Sequence, residues 1–226
     1  RLTIPFTEGE LVARSVELLA RNRLAEGYVR PLVFVGEGAM GLYAIDNPTR
    51  VALVTWAWGA YLGDDGLNHG IRAHVSTLRR LNINSTLNKG KIIGHYVNNI
   101  MAKREAMANG YQEAIMLDDR GYVAEASGEN IFIVRDGVVK TPPYSSAILG
   151  GITRATSLTL MEDMDIPVLE QMFTRDEMYL ADEVFLTGTA AEVTPVREVD
   201  GITIGEGTKG PVTARVQDRF FEVVKG

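Results

Sequence analysis

Two lysines and one glutamate have side chains that could support covalent chemistry on a nitrogen-bearing ligand. Lys89 and Lys91 lie in the segment NKGKIIGHY, where the neighbouring isoleucines could partly desolvate an amine. A desolvated lysine has a lowered pKa and can form a Schiff base with an aldehyde. Glu125 ends the apolar run YVAE and could hold the proton of a ring nitrogen. A solvated surface position is the commoner role for each residue, and spacing alone leaves the choice between the lysines open.

Two glycine-containing segments could bind an anion. Gly150-Gly151-Ile152-Thr153 opens a predicted helix, where free N–H groups and the helix dipole favour a phosphate. Thr187-Gly188-Thr189-Ala190-Ala191 offers a second set of N–H groups and hydroxyls that could form an anion-binding nest. A plain helix start and a tight β-turn are the alternative interpretations of these two segments.

Composition excludes several classes of function. The 226 residues include no cysteine, so disulfides, thiolate metal sites and a cysteine nucleophile are excluded, and a reducing, cytoplasmic location is favoured. The three histidines lack metal-ligand spacing, so we expect no metal site. A net charge of -6 without a basic patch argues against nucleic acid, and no apolar run is long enough to span a membrane.

The pattern of elements predicts an α+β or mixed α/β fold. Capping boxes at Thr7–Glu10 and Thr174–Glu177 predict helices, the first over about 8–24. Further helices are expected over 95–110 and 152–164 and from Pro211 onward. The residues 113–141 predict an antiparallel meander with a turn at Asp136-Gly137. The glycine-rich stretch 59–70 predicts a linker. The remaining predicted strands cover 28–36, 51–58, 71–79, 166–171 and two or three segments between 183 and 205.

Several separate segments together resemble the class IV aminotransferases, which have the fold of type IV pyridoxal-phosphate enzymes. The similarity runs from about residue 28 almost to the C-terminus. The segments YVRPLVFVG, WGAYLG, DEVFLTGTAAEVTPVREVDG and GPVT are similar to branched-chain amino acid aminotransferases in particular. The residues that match the family signature are Glu125, Ser127, Asn130, Ile131, Phe132, Val139, Thr141, Leu149, Gly151, Ile152 and Arg154.

The resemblance implies pyridoxal 5′-phosphate as the cofactor and Lys91 as the catalytic lysine that carries it as a Schiff base. Lys91 precedes Tyr96 by five residues, as the family pattern requires, and Lys89 does not. Tyr96 would contact the cofactor's phenolic oxygen, Glu125 its pyridine nitrogen and Leu149 its ring face. The residues expected to bind the phosphate are Gly151, Ile152, Thr153 and Thr189.

The resemblance also implies reversible transamination of leucine, isoleucine and valine with 2-oxoglutarate, giving branched 2-oxo acids and glutamate. Tyr28 and the backbone of Thr189 and Ala190 would hold the substrate α-carboxylate. Arg30 would help admit the distal carboxylate of glutamate. The residues expected to line the side-chain pocket are Arg30, Trp58 and Tyr61. A D-amino acid aminotransferase or aminodeoxychorismate lyase is the alternative of the same fold.

The family pattern divides the chain into the C-terminal part of a small domain (1–60), an interdomain loop (61–70) and a large cofactor-binding domain (71–226). Family members begin with a longer small domain, which carries an arginine for the phosphate and a tyrosine near the substrate. We therefore expect this sequence to start partway through that domain. The resemblance implies a homodimer or higher homo-oligomer. A folded, dimerising fragment without turnover is the alternative of another class.

Overall fold

The computed structural model describes residues 2–59 and 61–225. The helices in this part of the chain are α1 (Glu8–Arg21), α2 (Asp64–His69), α3 (Tyr96–Ala108), α4 (Ile152–Asp163), α5 (Arg175–Tyr179) and α6 (Pro211–Lys225). The strands are β1 (Tyr28–Val35), β2 (Thr49–Trp56), β3 (Ile71–Val75), β4 (Glu113–Leu117), β5 (Val123–Ala126), β6 (Asn130–Arg135), β7 (Val138–Thr141), β8 (Val168–Glu170), β9 (Glu183–Gly188), β10 (Glu192–Val199) and β11 (Ile202–Thr203). None of the helices in these residues is long and apolar enough to cross a membrane.

The chain divides into two compact units, residues 1–59 and 60–226. The first contains α1 and the antiparallel pair β1–β2. Both halves of the predicted capping box at Thr7 and Glu10 are present, so the start of α1 is confirmed. Pro31 lies on β1, which is an edge strand because this sheet has only two strands, and an edge strand tolerates proline. On α1, Leu11 and Leu19 are half-buried, whereas Val12 and Val16 are exposed.

The second unit is built on a nine-stranded sheet of order β5-β4-β3-β10-β9-β6-β7-β8, with β11 paired to β10. Strand β3 runs parallel to β4 and β10, and β7 runs parallel to β8. The other pairs are antiparallel, so the sheet is mixed and the predicted class is confirmed.

The prediction of one continuous meander over 113–141 is wrong. The hairpins β4–β5 and β6–β7 form, but β6 pairs with β9 and lies several strands away from β5. The reason is the apolar match between β6 and β9. In that register Phe132 lies opposite Phe185, and their rings stack with centroids 4.8 Å apart.

Both faces of this sheet are buried. Ile131 and Ile133 point into one core cluster, whereas Phe132 and Val134 point into another, as the two-residue period of a strand requires. Helices α4 and α6 contribute side chains to the second cluster. A continuous apolar strand such as NIFIV therefore belongs at the centre of the sheet.

The stretch 61–70, expected to be a loop, contains the short helix α2. Gly63 and Gly70 have φ of 80° and 93° and bound the helix on either side. Gly66 inside it is buried, and a Cβ there would press against the side chain of Ile71. Three of the glycines that suggested a linker, Gly63, Gly66 and Gly70, therefore serve the ends and the close packing of a helix.

Candidate active site

Glu125 is buried on β5, with its side chain 6% exposed. Its Oε1 pairs with Arg80 Nη2 at 2.7 Å, and its Oε2 accepts hydrogen bonds from the Leu149 N–H at 2.9 Å and from Asn130 Nδ2 at 3.1 Å. Burial raises the pKa of Glu125 to about 7, while the Arg80 charge and the Leu149 N–H act to lower it. The carboxyl group is thus buried and held by three donors, in contrast to a solvated surface glutamate.

Arg80 is a site residue that sequence reasoning missed. It follows β3, its side chain is 4% exposed, and it also donates from Nη1 to Asn99 Oδ1 at 2.7 Å and from Nε to the Ala147 carbonyl at 3.3 Å. The sequence shows two adjacent arginines at this place, Arg79 and Arg80, and only Arg80 is buried. No local pattern separates them, because the partner Glu125 is 45 residues away.

Lys91 and Tyr96, predicted to act together, lie close to each other. Lys91 Nζ is 5.5 Å from the centroid of the Tyr96 ring, and its charge helps to lower the pKa of Glu125. In the described part of the chain no hydrogen bond or ion pair engages the Lys91 amine. By contrast, Lys89 Nζ donates to the carbonyls of Ser146 at 2.8 Å and Ile148 at 2.9 Å. Of the two lysines, the amine of Lys91 is therefore the one available for reaction.

The start of α4 has the features of an anion site. Gly151 is its N-cap residue, and no side chain caps the first turn. A Cβ on Gly151 would collide with Asn130 Oδ1, so glycine is needed for close packing at this position. Thr153 is buried and Ile152 is exposed, so the two predicted phosphate residues differ in how much of their side chains is accessible.

The second predicted anion site lies on the same side of the sheet. Thr187 lies near the end of β9 opposite Asn130 of β6, and Asn130 in turn touches Gly151. Thr187 Oγ1 is buried without a hydrogen-bond partner among the described residues. Asn130 thus connects both glycine segments to Glu125. Thr189 and Ala190, which directly follow β9, lie in the turn between β9 and β10.

The predicted substrate residues of the first unit form an aromatic cluster. Tyr28 lies 4.9 Å from Trp56 and 4.6 Å from Trp58, centroid to centroid, and the two tryptophans are 5.3 Å apart. The Arg30 guanidinium is 5.9 Å from the centroids of both Tyr28 and Trp56. Tyr28, Arg30 and Trp58 are therefore brought together. Tyr61 belongs to the second unit, where the Lys103 ammonium lies 5.0 Å from its ring.

A second buried charge cluster was not foreseen from the sequence. Glu113 accepts from Lys103 Nζ and from Ser127 Oγ, each at 2.5 Å, and its side chain has no exposed surface. Glu129 is buried beside it, and burial together with the Glu113 charge raises the pKa of Glu129 well above its usual value. The Glu129 carboxyl proton can then be shared with the Glu113 carboxylate, because ionising two adjacent buried carboxyl groups has a high free-energy cost.

Comparison with known proteins agrees with this arrangement. A family model described as amino-transferase class IV matches residues 1–199. The branched-chain-amino-acid aminotransferases of Pseudomonas aeruginosa and of Escherichia coli K12 are each 46% identical to the chain. The alignments cover 100% of this chain and 73% and 74% of those proteins.

Solved structures give the same result. A crystal structure of Escherichia coli branched-chain amino acid aminotransferase superposes with a TM-score of 0.96 at 44% identity, covering 99% of this chain and 74% of that one. The T.th. branched-chain amino acid aminotransferase with pyridoxamine 5′-phosphate gives a TM-score of 0.93 at 44% identity, covering 99% and 73%. The same enzyme complexed with N-(5′-phosphopyridoxyl)-L-glutamate gives 0.93 at 44% identity, covering 100% and 74%. These likenesses extend over both units.

Proposed function

Because the chain belongs to the class IV aminotransferases, which are pyridoxal-phosphate-dependent transaminases of fold type IV, we propose that it exchanges amino groups between branched-chain L-amino acids and 2-oxoglutarate with Lys91 as the catalytic lysine. The products are branched 2-oxo acids and glutamate. The observation that carries this proposal is the pair formed by the uncommitted Lys91 amine beside Tyr96 and the buried Glu125 carboxyl group.

The residues present fit pyridoxal phosphate. Glu125 offers a buried carboxylate for a ring nitrogen, and its ionised form is favoured by Arg80. Thr187 Oγ1 is a buried hydroxyl without a partner among the described atoms, as expected beside a site for a polar ligand. Gly151 leaves room where a Cβ would collide with Asn130. The phosphate, the ring nitrogen and the aldehyde of the cofactor therefore each have a complementary group: the start of α4, Glu125 and Lys91.

We assign the cofactor contacts as follows. Glu125 holds the pyridine nitrogen, Tyr96 the phenolic oxygen, and Leu149 packs on the ring face. The N–H groups of the uncapped α4 start suit the phosphate, since such groups and the helix dipole stabilise an anion. The residues we assign to the phosphate are Gly151, Ile152, Thr153 and Thr189.

Bound pyridoxal phosphate supplies an electron-withdrawing ring that makes the α-proton of an attached amino acid acidic. With the cofactor bound, Lys91 Nζ would take that proton from the α-carbon as general base and would then, as general acid, donate it to the exocyclic carbon of the cofactor. Glu125 supports this step because its carboxylate holds a proton on the ring nitrogen. The charge of Arg80 favours the ionised form of Glu125 against the effect of burial.

For the substrate, we assign Tyr28 and the backbone of Thr189 and Ala190 to the α-carboxylate. Trp58 and Tyr61 supply apolar walls for a branched side chain. Arg30, whose guanidinium lies against the rings of Tyr28 and Trp56, is assigned to the distal carboxylate of glutamate. A guanidinium beside apolar rings allows one pocket to accept both leucine and glutamate.

We also assign residues 1–60 to the family's small domain, 61–70 to the connection between the domains and 71–226 to the cofactor-binding domain. Helix α3 exposes four large apolar side chains, Val97, Ile100, Met101 and Met107, which favours a homodimeric or larger assembly. Size-exclusion chromatography with light scattering measures that assembly, and a monomer at micromolar concentration would contradict it.

The test of the function uses the full chain loaded with pyridoxal phosphate. Borohydride reduction should remove the visible absorption band and leave a mass adduct on the peptide that contains Lys91. Lys91→Ala should reduce glutamate formation from leucine and 2-oxoglutarate by at least about a thousandfold. Lys140→Met is the matched control, because Lys140 is paired with Glu177 at 3.0 Å on another part of the sheet.

A substrate screen separates the alternatives. Leucine should be the better amino donor, and D-alanine or aminodeoxychorismate should give no turnover. Turnover of either of those compounds in preference to leucine would contradict the branched-chain assignment. Failure of the chain to take up excess pyridoxal phosphate would contradict the whole proposal and favour a folded chain without turnover.

A further inference from the structure

Lys89 is held by a segment far from it in the sequence. Its Nζ donates to the carbonyls of Ser146 at 2.8 Å and Ile148 at 2.9 Å and lies 4.5 Å from the centroid of the Tyr144 ring. All three contacts are to residues 144–148. A lysine that bonds two main-chain carbonyls and covers an aromatic ring is fixed in position by charge-assisted hydrogen bonds and by a cation–π contact.

The same segment is fixed by other side chains of the candidate site. The Ala147 carbonyl accepts from Arg80 Nε at 3.3 Å, and the Leu149 carbonyl accepts from Asn130 Nδ2 at 2.9 Å. The Leu149 N–H donates to Glu125. Four consecutive carbonyls, from residue 146 to residue 149, thus accept a hydrogen bond from a side chain around Glu125. These hydrogen bonds hold the segment 146–149 in position.

We propose that Lys89 is a positioning residue for the reaction: by binding the carbonyls of Ser146 and Ile148 it holds the short stretch 89–91, and with it Lys91, against the segment that ends in Leu149. This proposal rests on the proposed role of Lys91. Only one residue separates Lys89 from Lys91, so a fixed Lys89 backbone limits where the Lys91 amine can reach. Leu149, assigned to the ring face, directly follows Ile148 and is itself bound by Asn130 and Glu125.

The charge of Lys89 also acts on Glu125. Three cations, Arg80, Lys89 and Lys91, lower the pKa of Glu125 against the effect of burial. Burial lowers the pKa of Lys89 itself, the Glu125 charge raises it, and the charges of Arg154 and Arg80 lower it. Loss of the Lys89 charge therefore moves the pKa of Glu125 further upward, so that the carboxyl group ionises at a higher pH.

The test compares Lys89→Met, which removes the ammonium, with Lys89→Arg, which retains a charge and can still donate to two carbonyls. Hydrogen exchange in the cofactor-free chain is the first measurement. In Lys89→Met, we expect amides of the peptide spanning 144–151 to exchange roughly tenfold faster, because charge-assisted bonds to their segment are lost. Lys89→Arg should restore most of the protection, and Lys140→Met should leave this peptide unchanged.

The second measurement is the visible spectrum of the loaded enzyme as a function of pH. Lys89→Met should shift the pH midpoint of the change in the cofactor's visible spectrum upward by about half a pH unit or more. The reason is that a nearby positive charge is lost, which makes the protonated form of the site more favourable. Its kcat should fall roughly tenfold while KM for leucine stays within about twofold, since Lys89 does not contact the amino acid. Lys89→Arg should remain close to the parent protein in all three quantities.

Unchanged exchange of 144–151 in Lys89→Met would overturn the proposal, and so would equal acceleration in every peptide, which would indicate general destabilisation. Failure of the proposed function gives a different result. A borohydride adduct on a lysine other than Lys91 would contradict the assignment of Lys91, whether or not the exchange of 144–151 changes. An adduct on Lys89 itself would overturn both proposals.

Discussion

Arg80 and Glu125 form an ion pair of 2.7 Å in which the side chains are 4% and 6% exposed. Arg80 follows β3, and Glu125 lies on β5 two strands away in the sheet. The remaining donors and acceptors of the pair bind Asn99, Asn130, Leu149 and the Ala147 carbonyl. A buried ion pair of this kind is costly to break on one side, because the other charge stays behind without a partner.

Replacement of Arg80 by methionine should therefore destabilise the cofactor-free chain at pH 8 by about 3–5 kcal/mol. At pH 5 the loss should be smaller, since Glu125 is then largely protonated and needs no cation. Urea denaturation at the two pH values measures both effects. Arg79→Met, at the exposed neighbouring position, is the control and should change stability by less than about 1 kcal/mol. An equal loss for Arg80→Met at pH 5 and pH 8 would contradict the ion-pair explanation.

The titration of Glu125 should leave a signature in the pH dependence of stability. Its pKa is raised from 4.5 in the unfolded chain to about 7 in the folded one, so the folded state binds the proton more tightly. The Glu125 contribution to stability is then fully present below pH 4.5 and is lost as the pH rises to about 7. In the cofactor-free chain, Glu125→Gln should remove the part of the pH dependence of the unfolding free energy that Glu125 causes between pH 4.5 and about 7. A variant whose slope between pH 4.5 and 7 equals that of the parent would disprove the shift.

Glu129→Gln should make the chain more stable relative to the parent protein as the pH rises above neutral. Burial and the neighbouring Glu113 charge raise the pKa of Glu129, so its ionisation on raising the pH costs folding free energy. A glutamine of the same shape cannot ionise and can still donate to Glu113. Thermal unfolding at pH 6 and pH 9 should show the gain at pH 9. The exposed residue Glu206 provides the control, and Glu206→Gln should show no such difference. A gain confined to pH 6 would refute this account.

Gly151→Ala should weaken binding of pyridoxal phosphate by at least about tenfold. The new Cβ would push against Asn130 Oδ1, and Asn130 bonds both Glu125 and the Leu149 carbonyl. The change would therefore disturb the contacts assigned to the ring nitrogen and to the ring face together. An absorbance titration with the cofactor gives the affinity. Gly9→Ala is the matched control, since a Cβ there meets nothing within 4 Å. Equal affinity in both variants would count against the assigned site.

Arg30→Met should discriminate between the two kinds of substrate. The Arg30 guanidinium lies against Tyr28 and Trp56, and its loss removes the charge assigned to the distal carboxylate. We expect KM for 2-oxoglutarate to rise roughly tenfold or more, while kcat/KM for leucine stays within about threefold. Steady-state kinetics with each substrate varied in turn measures both. Arg14→Met, on the exposed side of α1, should change neither value. A parallel loss for both substrates would indicate a structural role for Arg30.

The sequence by itself determined the features that depend on near neighbours. The capping boxes at Thr7 and Thr174 and the turn at Asp136-Gly137, with φ of 50° and 76°, formed as predicted because each depends on residues close by in the chain. The period of two in NIFIV and the family signature likewise lie within short stretches, so the fold class and the enzyme family could be predicted without a structure.

Only the tertiary structure decided which charged side chains are buried and with what partners. Arg80 rather than Arg79 pairs with Glu125, Lys89 binds carbonyls 57 and 59 residues away, and Glu129 lies beside Glu113. The separation of β5 from β6 was decided in the same way, by the pairing of β6 with β9. The physical reason is that desolvation and ion pairing depend on distances across the sheet. Residues far apart in the chain set those distances, and a local pattern of residue types does not contain them.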